Sequence, residues 1–136
     1  MNILIGGCGN LGKFIYRELC LEKLINPNLI SIRHSNFDDF KRKFYQLNKK
    51  DVFIDLMDPN DVNDSFEIST YEKSIAFRNF ALQNSSEINY IYFSTASIYK
   101  PSLKVIDENS EIFPNKSPYL MMKYINENLI KNYSKG

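Results

Sequence analysis

The sequence predicts an α/β fold built on one parallel sheet with helices on both faces. Three observations predict it. Short apolar runs alternate with longer stretches of helical periodicity, in the order βαβαβαβ, followed by a loop and a last helix. Strands separated by helices need crossover connections, so neighbouring strands run parallel. Four of the five glycines fall between the first strand and the first helix, where a tight turn is needed. The 136 residues suffice for one core and one domain, 1–136, and no linker or internal repeat divides them.

Each element has its own signal. Asn2-Ile3-Leu4-Ile5-Gly6 reads as a buried strand, and residues 7–12 as a glycine-rich turn. Leu11, Phe14, Ile15, Leu19 and the stretch 21–25 carry helical spacing, which Asn26-Pro27 is expected to stop. Residues 29–33 form a second strand. Phe37, Phe40, Phe44 and Leu47 recur at helical intervals and give a second helix. Residues 51–56 form a third strand, and Asp58-Pro59-Asn60-Asp61 a turn. A longer helix is expected over 69–84, with Ile75, Phe77, Phe80, Ala81 and Leu82 as its apolar content, and a fourth strand over 88–94. Residues 100–116 are polar and irregular. Ser117-Pro118 then opens the last helix, since serine is a good N-cap and proline suits the first helical position.

Composition narrows the function. Lys+Arg is 17 and Asp+Glu 16, so no basic excess points to a nucleic-acid partner. No apolar run approaches the ~18–20 residues of a membrane span. The two cysteines, Cys8 and Cys20, form no Cys-x-x-Cys pair. A disulfide scaffold and a metal site are therefore not expected, and a reducing cytoplasm is the default location.

The glycine turn carries the first chemistry. Gly6-Gly7-Cys8-Gly9-Asn10-Leu11-Gly12 satisfies G-x-x-G-x-x-G from Gly6 and G-x-G-x-x-G from Gly7. It follows a strand and opens a helix, the context a dinucleotide site requires. Glycine permits the tight turn, close approach of backbone to a pyrophosphate, and close helix–strand packing. The helix end then offers free N–H groups, from Asn10, Leu11 and Gly12, to the phosphates. The alternative is a tight turn without a ligand. Cys8 reads as a small buried filler. NAD sites usually carry an acid at the end of the second strand, for the ribose 2′-hydroxyl. Here that position reads Arg33-His34-Ser35, and Arg33 can pair with a 2′-phosphate. NADP is therefore expected over NAD, the alternative being a solvated strand end.

Tyr119 and Lys123 form Tyr-x-x-x-Lys on the last helix. Residues four apart share a face, and an ammonium beside a phenol favours the ionised phenol. Tyr119 is thereby a candidate general acid/base. Spacing alone proves little, because nine tyrosines and thirteen lysines give about one such pair by chance. A second pair, Tyr45/Lys49, reads as plain helix. What sets Tyr119 apart is Ser94-Thr95-Ala96-Ser97-Ile98-Tyr99, directly after the fourth strand. Ligands of open parallel sheets sit beyond the carboxyl ends of the strands. A hydroxyl there can hold the reacting oxygen of a substrate.

With these motifs the chain resembles the short-chain dehydrogenase/reductase family, and within it the extended branch of nucleotide-sugar epimerases, dehydratases and reductases. Gly6, Gly9 and Gly12 match the family's Gly-x-x-Gly-x-x-Gly. Ser94, Thr95, Ile98 and Tyr99 match Ser-[Ser/Thr]-x-x-[Val/Ile]-Tyr, and Tyr119 and Lys123 match Tyr-x-x-x-Lys after a proline-containing loop. The resemblance implies a Rossmann-like fold binding NAD(P). It implies Thr95 as catalytic hydroxyl, Tyr119 as general acid/base, and Lys123 as the cation that activates Tyr119 and binds the nicotinamide ribose. A nucleotide sugar is the implied substrate.

The chain also departs from the family. Asp55-Leu56-Met57-Asp58 replaces a small-residue stretch that lines the cofactor, and Asp58 near a pyrophosphate would repel it. Tyr71-Glu72-Lys73-Ser74-Ile75 stands where Asn-x-x-Gly-Thr is expected, and Lys100 where glycine is common. Family members continue beyond the last helix into a substrate region, so the chain reads as truncated after it. The fourth strand would be an open edge, and this edge or the last helix is the expected route to a homo-oligomer. The alternative to an enzyme is a non-catalytic dinucleotide-binding module or truncated pseudoenzyme.

Overall fold

In a computed structural model the chain is described over residues 1–59, 65–114 and 117–134. Strands β1 (Asn2–Gly6), β2 (Asn26–Ile30), β3 (Val52–Asp55) and β4 (Asn89–Tyr92) alternate with helices α1 (Asn10–Leu19), α2 (Phe37–Phe44) and α3 (Ser65–Gln83). A short 3₁₀ turn (Ala96–Ile98) and helix α4 (Pro118–Ser134) follow. All strand pairs are parallel, in the order β2-β1-β3-β4. This is the α/β, Rossmann-like arrangement that the alternation predicts. No helix among the described residues is long and apolar enough to cross a membrane.

Alternation along each strand sends side chains to two cores. Leu4, Ile30 and Phe53 face Phe40 and Phe44 of α2 and Phe77 and Ala81 of α3. Ile3, Ile5 and Ile54 face Ile15, Tyr16 and Leu19 of α1. The first core is largely aromatic: Phe40 stacks on Phe77 with ring centroids 4.5 Å apart, and Phe44 meets Phe53 edge-on at 5.5 Å. β4 is an edge strand. Tyr90 and Tyr92 on one face are half-buried, while Ile91 and Phe93 on the other are exposed.

Several boundaries differ from the sequence reading. α1 ends at Leu19 rather than running to residue 25, because successive tight turns follow it: Leu21 N–H donates to the Glu18 carbonyl, Glu22 to Leu19 and Ile25 to Glu22. Its half-buried face is Ile15, Tyr16 and Leu19, so Leu11 and Phe14 lie exposed. β2 begins at Asn26 and contains Pro27, so the proline lies in a strand rather than acting as the expected helix stop. A proline is tolerated there because β2 is an edge strand. Arg33 consequently lies in a turn beyond the strand, not at its last position. α2 closes at Phe44, so Tyr45 is its C-cap and Tyr45/Lys49 do not share a helix. α3 starts at Ser65, four residues before the expected start. Of the turn read at 58–61, Asn60 and Asp61 lie outside the described residues, as do Asn115 and Lys116 of the long loop. That loop is pinned at its base by an antiparallel bridge between Tyr99 and Ile112. Ser117 caps α4 as expected, its hydroxyl accepting from the Leu120 N–H at 3.2 Å.

Candidate functional site

The chain steps from β1 to β2 on one side, then crosses back to β3 on the other. The strand order therefore reverses at β1/β3, and the crevice beyond the carboxyl ends there is where open α/β sheets bind ligands. Gly6 closes β1 and pairs with both Ile30 and Asp55. The glycine turn is tied down on both sides: Gly7 N–H donates to the Ile30 carbonyl, and Leu56 N–H to the Gly6 carbonyl, each at 2.9 Å.

The glycines of the turn do different work. Gly7 has φ +131°, and a Cβ there would lie 2.6 Å from the Leu56 carbonyl oxygen. A Cβ on Gly12 would lie 1.9 Å from the Gly7 carbonyl oxygen, so only glycine lets α1 sit so close to the turn. Gly9 is unlike both. Among the described residues a Cβ there meets nothing within 4 Å, so packing against them gives no reason for a glycine. Gly9 is the N-cap of α1, with no side-chain capping bond and no acidic residue in the first turn. The first intrahelical bond there runs from Lys13 N–H to the Gly9 carbonyl, which leaves the Asn10, Leu11 and Gly12 amides without helical partners. Open space beside uncapped amides at the positive end of a helix fits a phosphate. Cys8 is half-buried rather than fully buried. Burial pushes its thiol up despite Lys13 and Lys43 nearby, which suits an inert thiol.

The second group of residues lies beyond β4. Thr95 is half-buried, and its hydroxyl accepts from the Ser97 N–H at 3.3 Å. Tyr119 and Lys123 share a face of α4, with the Lys123 ammonium 5.7 Å from the centre of the Tyr119 ring. Lys123 is buried. Its ammonium donates to the Phe93 carbonyl at 2.8 Å and pairs with the Asp58 carboxylate at 3.0 Å.

Asp58 belongs to a buried network of residues far apart in the sequence. Arg78 on α3 donates from Nε to Asp55 at 2.6 Å and from Nη2 to Asp55 and Asp58 at 3.0 and 2.7 Å. Asp58 also accepts from the Tyr92 hydroxyl at 2.6 Å and from Asn126 Nδ2 at 2.8 Å. Asp55 accepts from the Tyr90 hydroxyl at 2.5 Å. Two carboxylates therefore face two cations. Burial opposes the charge on Asp58, but Arg78 and Lys123 outweigh it and hold the carboxyl below the usual range. Burial first, then the neighbouring carboxylates, pushes the Tyr90 and Tyr92 phenols well up, so both remain hydroxyl donors. Among the described residues, Arg78 Nη1 is the one buried side-chain polar atom without a hydrogen-bond partner.

The repulsion expected between Asp58 and a pyrophosphate is thus answered inside the protein, since the carboxylate is buried and neutralised. A signal for the network was present in the sequence. Arg78 stands beside Ser74, Phe77 and Ala81 on the inward stripe of α3, and a cation there demands an anionic partner. Two clefts lie at the opposite, amino-terminal ends of the strands, one lined by residues such as Asn2 and Asn26 and one by Asn48 and Glu87. Neither includes a residue of the glycine turn, Thr95 or Tyr119, and strand polarity makes the carboxyl ends the better site. Set against family models, curated proteins and solved structures, the chain matches none.

Proposed function

We propose that the chain binds a nicotinamide dinucleotide across the β1/β3 crevice, NADP(H) in preference to NAD(H), as a protein of the extended short-chain dehydrogenase/reductase kind acting on nucleotide sugars. The observation that carries this reading is Gly9. Packing accounts for Gly7 and Gly12, while at Gly9, the uncapped start of α1, no described residue lies within 4 Å of a Cβ. The residues that would hold the cofactor are Gly6, Gly9, Asn10, Leu11 and Gly12 for the pyrophosphate, and Arg33 for a 2′-phosphate. When bound, the nicotinamide supplies hydride exchange with a sugar carbon. In this reading Thr95 holds the reacting oxygen and Tyr119 moves its proton, with Lys123 beside it.

A second reading, a dinucleotide-binding module without catalysis, draws on Lys123. Its ammonium is engaged by Asp58 and the Phe93 carbonyl, so less of its charge acts on Tyr119. Titration with NADPH and NADH separates binding from no binding, and a screen over nucleotide sugars separates enzyme from module. Gly9→Val is expected to abolish dinucleotide binding in a folded chain, and Arg33→Ala to weaken NADPH more than NADH. Unchanged NADPH affinity in Gly9→Val would refute the site.

A further inference from the structure

The two edges of the sheet are finished differently. At β2, Asn26 N–H donates to the Met1 carbonyl at 2.9 Å, so Asn26 and Asn28 turn their backbone groups toward β1. Pro27 and Leu29 turn theirs outward. Proline has no N–H to offer, and the Leu29 carbonyl accepts from the Lys43 ammonium at 3.3 Å. That edge is blunted. At β4, Asn89 N–H donates to the Asp51 carbonyl at 2.9 Å, so Asn89 and Ile91 face β3. The backbone groups of Tyr90 and Tyr92 then point outward. Among the described residues no strand pairs with them. The stretch 88–94, Ile-Asn-Tyr-Ile-Tyr-Phe-Ser, holds no charge, proline or glycine, so it lacks the usual guards of an edge. It is also held in place from behind. The Tyr90 hydroxyl donates to Asp55 and the Tyr92 hydroxyl to Asp58, which fixes the strand before a partner arrives. On the opposite face of the strand, Ile91 and Phe93 lie exposed.

We propose that the β4 edge pairs with the β4 edge of a second copy, antiparallel about a two-fold axis, so that two four-stranded sheets become one. The strand itself selects this occupant. A two-fold pair sets the segment against itself, and a segment without charge meets no like charge there. The outward groups of Tyr90 and Tyr92 need the outward groups of the other copy. Centred on Tyr92, the pairing sets Ile91 of each copy opposite Phe93 of the other, and each exposed side chain gains an apolar partner. Centred on Ile91 or Tyr90, it sets Phe93 or Ile91 opposite Asn89, which is the poorer match. Helix α4 also exposes Ile125, but a helix pairs its backbone internally, whereas the edge offers donors and acceptors that a partner satisfies. The contact is short, so association is weak and depends on concentration. The pairing does not rest on the dinucleotide reading.

The test combines light scattering with amide hydrogen exchange read by NMR, on the full chain over a range of concentrations. The mass should rise to twice that of one chain. Protection of the Tyr90 and Tyr92 amides should rise with it, while the Ile91 amide, bonded to β3 in either state, stays as it was. Ile91→Lys and Phe93→Glu should each weaken association about tenfold, since each sets a charge opposite an apolar side chain. Mixed in equal amounts, the two variants should recover association, because the introduced charges then meet across the axis. If either variant does not fold, exchange in the parent chain decides. A single-chain mass at every concentration overturns the proposal. So does protection of Tyr90 and Tyr92 that ignores concentration, since the edge is then closed within one chain. A dimer whose Tyr90 and Tyr92 amides exchange freely, and which Ile125→Asp dissociates, assigns the interface to α4 and overturns it as well.

Discussion

Gly9 and Gly12 sit three residues apart and carry opposite demands. The Cβ of Gly12→Ala would overlap a backbone oxygen at 1.9 Å, so the turn or α1 must shift. A destabilisation of about 1–3 kcal/mol is expected, the range for forced overpacking. Gly9→Ala meets no described residue within 4 Å and keeps φ −70°, a conformation alanine adopts freely. Its stability should stay within about 1 kcal/mol of the parent. Urea unfolding of the two variants checks both. A Gly9→Ala variant as unstable as Gly12→Ala would mean that Gly9 also serves packing, and would remove the best argument for a ligand. The sequence marked four glycines in one motif but could not divide them by task. That division depends on which backbone lies against each Cα: Leu56 reaches Gly7 only once β3 pairs with β1, and the Gly7 carbonyl reaches Gly12 only once the turn closes onto α1.

The elements were legible where the local signal is periodic. The phenylalanines at 37, 40 and 44 announced α2, and Ser117-Pro118 announced the start of α4. They were less legible where partnering decides. Pro27 looks like a helix stop in isolation but sits in β2, because an edge strand leaves one side of its backbone unpaired. Phe40 shows what holds the elements together. It is fully buried and touches the rings of Phe44, Phe53, Phe77 and Phe80, so it joins α2 to β3 and α3. Phe40→Ala should cost about 3–5 kcal/mol, the range for removing a large buried side chain. Thermal or urea denaturation reads the loss. A cost under 1 kcal/mol would show that the cluster repacks around the gap.

Across the whole molecule, the Asp55–Arg78–Asp58–Lys123 network links β3, α3 and α4, and Tyr90 and Tyr92 bring in β4. Such a network stabilises while complete and becomes costly when one partner is lost. Asp58 gives it a pH dependence. Its folded carboxyl lies below the unfolded value of about 3.9, so the folded state is favoured wherever the group is ionised. The contribution is complete above about pH 5 and is lost as pH falls below about 4 toward the folded value. The urea midpoint should therefore drop on acidification from pH 5 to pH 3. In Asp58→Asn part of that drop should vanish, because asparagine has no proton to gain. An acid limb as steep in the variant as in the parent would place the titrating group elsewhere.

The sequence by itself determined the order of elements, the parallel sheet, the glycine-rich turn and the face that Tyr119 shares with Lys123. Each rests on residues within a few positions of one another, where periodicity and turn chemistry act. Only the tertiary structure decided the fate of the charges. Asp58 reads as an intruder beside a phosphate site, yet Arg78, Tyr92, Lys123 and Asn126 converge on it from 20, 34, 65 and 68 residues away along the chain. A buried carboxylate must be matched wherever the fold brings donors, and no short-range pattern states which donors those are. The strand order β2-β1-β3-β4 sets them, by bringing β4, α3 and α4 to the end of β3.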